Sequence, residues 1–202
     1  MGENFDHKVY SAEVVEFVTV AKEFCAFIEQ FSEYDVKDFL ERSRKFIPLL
    51  YLKGVLLPTA ESDAYLETEK FVTEQDWNYL REGLRTLLAQ YDEYAEDFVD
   101  RLHETDDPQA GSISENFADI YSALKDFLIA YREGLLEVMN EALWDLKDSF
   151  DLYWGKALVN SLRVIHNLLA GEIDADLDLN NTNSPDMNKS FIGRRQDDLR
   201  GE

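Results

Sequence analysis

Only one cysteine, Cys25, is present, so no disulfide can form within the chain. Its flanks in EFCAFIE set apolar residues around the thiol at helical spacing, which reads as a small buried hydrophobe rather than a nucleophile. Histidine is scarce too. His7, His103 and His166 are scattered without paired ligand spacing for zinc, and none follows a glutamate by three residues as a di-iron bundle requires. The segment DADLDLN spaces Asp174, Asp176, Asp178 and Asn180 like the first half of a calcium loop. However, Leu179 stands where that loop needs glycine and Pro185 where it needs a bidentate glutamate. Nine glycines leave no phosphate cradle: Gly-x-Gly-x-x-Gly and Gly-x-x-x-x-Gly-Lys are both missing, as is the Gly-x-Ser-x-Gly elbow. No metal, cofactor or catalytic residue is therefore expected, and a non-enzyme is favoured.

Positive charge is the next shortage. Against 42 acids the chain has 20 bases, a net charge of −22. Such a surface repels phosphate backbones and anionic bilayers, so neither nucleic acid nor a membrane is an expected partner, whereas a protein with a basic surface is. No apolar run approaches the ~18 residues of a membrane span. The opening MGENFDHKVY lacks the apolar centre of a signal peptide, and the expected setting is the cytoplasm.

What is plentiful is apolar surface: 45% hydrophobic residues and 13% aromatics, enough for one sizeable core. Its spacing is helical. Val14, Phe17, Val18, Ala21, Phe24, Cys25, Ile28 and Phe31 recur every three or four residues, with Ser11 as N-cap, predicting a helix over about 12–31. A second helix starts near Asp35 and carries Val36, Phe39, Leu40, Ile47 and Leu50, with a kink or restart expected at Pro48. Residues 58–72 read as a long connection anchored by Tyr65, Leu66 and Phe71. Thr73 and Asp76 form a capping pair for a helix carrying Trp77, Leu80, Leu84, Leu87, Leu88 and Tyr91, with a weak continuation through Phe98 and Leu102. Ser112 and Glu115 form a second capping box, before the stripe Phe117, Ile120, Tyr121, Leu124, Phe127, Leu128 and Tyr131. After a turn at Gly134, a helical pattern runs from about 136 to 170, bending near Gly155 and stopping at Gly171. No strand is expected. The fold class is all-α: an antiparallel bundle of four or five long helices with a kinked second helix and an irregular C-terminal tail.

Charge divides the chain unevenly. Residues 58–111 hold 15 acids and 4 bases, a balance of −11, and Lys37–Lys53 is the one helical stretch with more bases than acids. The expected organisation is a helical domain over 1–171 and an acidic linker with a basic tail over 172–202. In the tail, Phe191, Ile192, Arg194 and Arg195 suggest either a latch onto the acidic region or a motif offered to a partner.

Four blocks, FVTVAKEFCAFIE, FIPLLYLKGVLLP, SENFADIYSALKDF and ALWDLKDSFDLYWGKALVNSLRVIH, resemble in order those of an uncharacterised family of bacterial all-helical proteins, a domain of unknown function. The resemblance covers about residues 10–170. It rests chiefly on Asp119–Tyr121 and on the stretch from Trp154 to His166, and implies an all-α fold in a bacterial protein without supplying an activity. Two functional expectations follow from the sequence as a whole. The first is a non-enzymatic, acidic protein-interaction module; the second is a small-ligand binder or enzyme with a pocket between helices near Trp154, Arg163 and His166.

Overall fold

The structure, a computed structural model, describes residues 7–62, 68–96 and 109–171. Helix α1, Ala12–Glu29, begins where Ser11 Oγ accepts the Val14 N–H (3.5 Å) and buries Val14, Phe17, Ala21, Phe24, Cys25 and Ile28. A 3₁₀ turn at Phe31–Glu33 reverses the chain into α2, Val36–Leu56, whose N-cap Asp35 accepts the Asp38 N–H at 2.8 Å. Pro48 lies inside α2, which continues through it without a restart. The connection to α3 is pinned by side chains: Asp126 Oδ1 accepts the N–H groups of both Phe71 (2.8 Å) and Val72 (3.0 Å). Tyr65 and Leu66 lie outside the described residues.

Helix α3, Glu74–Leu88, opens with the expected reciprocal capping box between Thr73 and Asp76. It stops at Leu88, where Ala89 takes a positive φ of 49°, and Phe98 and Leu102 of the weak continuation lie outside the described residues. Instead, β1 (Glu93–Glu96) pairs antiparallel with β2 (Gln109–Ser112), Tyr94 opposite Gly111, a hairpin that the sequence does not announce. With only four residues per strand, no two-residue alternation is long enough to register.

Helix α4, Ile113–Glu133, has Ser112 as its N-cap, but the expected box with Glu115 is only half formed. The Glu115 carboxylate turns to Arg81, and Asp92, 2% exposed, takes over the helix end. Asp92 Oδ1 accepts the Ser114 N–H (2.7 Å), its Oδ2 accepts both serine hydroxyls, and its backbone carbonyl accepts the Ile113 N–H. A residue counted with the acidic surface is therefore a buried cap, placed where the helix dipole favours an anion. Gly134, at φ 73°, ends α4. Then α5 (Leu136–Ser149), a π-turn (Phe150–Trp154) and α6 (Gly155–Ala170) form one continuous helical rod, the bend expected near Gly155 being this wide turn.

Helices α1, α2, α6 and α4 close a ring of neighbours, with α3 and α5 packed outside against α4. Aromatic rings fill the centre: Phe24 meets Phe117 edge-on at 6.0 Å, Phe27 stacks on Phe39 at 5.0 Å, and Phe17 lies 6.1 Å from Trp154. Each such buried ring contributes roughly 1.5–3 kcal/mol relative to exposure. No described helix is long and apolar enough to cross a membrane.

Candidate functional site

The rod α5–α6 decides where the expected pocket residues go. In the π-turn the Gly155 N–H bonds to the Phe150 carbonyl, one residue further back than in an α-helix. Only glycine fits there, because a Cβ on Gly155 would lie 2.4 Å from that carbonyl oxygen. Trp154 is turned into the core, and its indole N–H donates to the Leu146 carbonyl at 3.1 Å. Arg163 is half-buried and His166 exposed, nine and twelve residues along the helix from Trp154. At 1.5 Å per residue those offsets are roughly 14 and 18 Å, so the three side chains do not converge.

One polar cluster is built into the interior. Glu29 of α1, 6% exposed, accepts through Oε1 from Tyr121 O–H (2.8 Å) and Lys125 Nζ (2.6 Å), both on α4. Burial, and then the Glu29 charge, push the Tyr121 hydroxyl well above its usual pKa. Burial likewise drives the Cys25 thiol up, leaving it protonated and unreactive as the sequence implies. Asp119, two residues before Tyr121, accepts the Trp77 indole N–H at 2.7 Å. The Asp119–Tyr121 block thus joins α4 to α3 and to α1, an arrangement of struts rather than of reacting groups. A second polar link runs through Asn116, whose Nδ2 donates to Tyr94 Oη (2.7 Å) and to the buried Ser161 Oγ (3.1 Å). Among the described residues, no three acidic, histidine or cysteine side chains are grouped to hold a metal ion.

The feature that sequence reasoning missed lies outside. Helix α2 buries Ile47, Leu50 and Gly54 and turns two further stripes outward. One is Lys45, Leu49, Leu52 and Leu56; the other is Arg44, Pro48, Tyr51 and Val55, and every one of these eight residues is exposed. Leu52 is 53% and Leu56 50% exposed. Gly54 lets α2 approach the π-turn, since a Cβ there would meet the Phe150 ring at 2.8 Å, and Tyr51 lies 5.4 Å from the same ring. The π-turn packed on α2 also exposes Leu152 and Tyr153, the latter 71% exposed, with Val159 one α6 turn beyond. The signal was available in LLYLKGVLL, which holds more apolar residues than one buried stripe can use.

The acidic region is less free than its composition implies. Asp76 and Asp92 are buried caps, Arg81 pairs with Glu82 and Glu115, and Arg85 lies 3.5 Å from Glu93. Residues 97–108, and the tail with Phe191, Ile192, Arg194 and Arg195, lie outside the described residues.

Fold and surface together define a class: an all-α domain with an aromatic core, internal polar struts, and an apolar face on one helix. The chain belongs to the family described as "Domain of unknown function (DUF5063)", which matches residues 8–171 and agrees with the resemblance carried by the helix blocks. It is similar to protein BF1032 from Bacteroides fragilis, known from a crystal structure, at 36% identity and a TM-score of 0.73. That match covers 83% of this chain and 99% of the Bacteroides chain. No curated protein matches the chain.

Proposed function

We propose that the chain is a non-enzymatic protein-interaction module whose contact face is the outward side of α2 from Pro48 to Leu56, together with the π-turn. One observation carries this reading: Leu49, Tyr51, Leu52, Val55, Leu56, Leu152, Tyr153 and Val159 are all exposed large apolar side chains on neighbouring segments. Soluble monomers rarely show contiguous apolar patches above a few hundred Å², and larger ones mark contact sites. The pocket alternative has less support, because Trp154 lies in the core with its N–H bonded to a backbone carbonyl while His166 faces solvent.

A photo-cross-linking residue placed at Leu52 of the full-length chain in its native host tests this. Discrete protein adducts are expected from position 52 and not from the exposed polar position Glu23 on α1. No adduct at 52, or the same adducts at both positions, would overturn the reading.

A further inference from the structure

Resting on that reading, we infer that the occupant of the apolar face is a second copy of this chain, the two α2 helices packing antiparallel about a two-fold axis near Leu49 and Leu52. Area is the first support. At their observed exposures the eight side chains present on the order of 800 Å², what each partner contributes to a standard stable interface.

Charge is the second support. Arg44 and Lys45 head the two outward stripes, and neither makes an ion pair among the described residues. The other end of the face has exposed Asp148 and Asp151, Asp151 lying 3.6 Å from the half-buried Lys147, with Lys156 as an exposed base beside them. A parallel pairing would stack Arg44 and Lys45 on themselves. A two-fold antiparallel pairing instead brings Arg44 and Lys45 of each α2 towards Asp148 and Asp151 at the other's π-turn, while leucines meet at the centre. Closed two-fold pairs are the commonest way a protein covers one apolar patch, because the patch is complementary to itself. On a chain of net charge −22, self-repulsion is reduced at this face, since Lys37–Lys53 has five bases and two acids.

Two measurements on the full chain decide it. Sedimentation equilibrium across the micromolar range gives twice the 23.5 kDa chain mass for the wild type. Leu52→Glu and Leu56→Glu, both at exposed positions and so leaving the circular dichroism spectrum unchanged, raise the dissociation constant about 100-fold or more. Mild oxidation of Leu52→Cys gives a covalent dimer, while Val15→Cys, an exposed apolar site on α1, does not. The buried, protonated Cys25 leaves this assay without background.

A wild-type chain that sediments as a monomer overturns the dimer, as does a dimer that survives Leu52→Glu. If the chain is monomeric and the cross-linker at 52 still captures a different protein, the interaction reading stands and the self-pairing falls. If neither a dimer nor an adduct is found, both fall.

Discussion

Replacing Lys125 with methionine removes the cation from a carboxylate that has almost no water. The Lys125 and Glu29 side chains are 14% and 8% exposed, and Nζ lies 2.6 Å from Oε1. Methionine keeps most of the aliphatic stem, so the packing loss is small and the effect is electrostatic. Removing one member of a buried pair costs about 3–5 kcal/mol, because the remaining charge is stranded. Some solvent reaches Lys125, so we expect the low end, about 3 kcal/mol, or a fall in Tm of roughly 6–12 °C for a chain of this length. Urea unfolding at pH 7, followed by far-UV circular dichroism, should show a lower midpoint at an unchanged m-value. Adding Glu29→Gln to Lys125→Met should recover most of the loss, since glutamine still accepts from Tyr121 O–H without a charge to strand. A single variant within about 1 kcal/mol of the wild type, or a double variant no more stable than the single, would refute the claim that Glu29 is held as a paired buried anion.

Two further predictions concern the neighbouring struts. Burial raises the Asp119 carboxyl above its ordinary value of 3.8, opposed by the Trp77 hydrogen bond and reinforced by Glu115. Above 3.8 the folded chain therefore holds a proton that the unfolded chain has released, so this group's contribution is full below 3.8 and declines as pH rises through the raised value. Asp119→Asn, which can still accept the Trp77 N–H, should gain on the wild type in urea midpoint as pH rises above 3.8; a growing deficit over that rise would contradict the sign. Gly155→Ala drives a Cβ to within 2.4 Å of the Phe150 carbonyl oxygen. It should cost about 1–3 kcal/mol and alter the near-UV signal of Trp154, whereas the gain of up to ~1 kcal/mol usual for Gly→Ala inside a helix would show that the π-turn is not needed.

Helix starts and stops were legible because each is written in a few adjacent residues. Ser11, Asp35 and the Thr73–Asp76 pair cap as read, and Gly134 and Gly171 stop the helices as read. The misses are non-local. Tyr94 of the β1–β2 pair accepts from Asn116 on α4, and Asp92 caps α4 from twenty residues upstream, so local spacing carries no trace of either. Pro48 leaves Arg44 without its usual N–H donor, yet α2 stays one helix. In the candidate site, LLYLKGVLL gave apolar character but not direction. Which of its sides is buried depends on the Phe150 and Trp154 rings closing over Gly54, a contact made about a hundred residues later.

The π-turn at Phe150–Trp154 also acts as a phase corrector. Met139, Leu143, Leu146 and Phe150 are buried before it, and Trp154, Leu158, Ser161 and Ile165 within and after it. On a uniform helix of 3.6 residues per turn, those two sets would drift apart around the axis. The drift would be about 60° on average, and the extra residue of the wide turn rotates the second set back by about 100°, which keeps both sets on one inward side. Leu152 and Tyr153, inside the same turn, are exposed. The rod thus keeps its core in register by the very step that adds apolar surface beside α2.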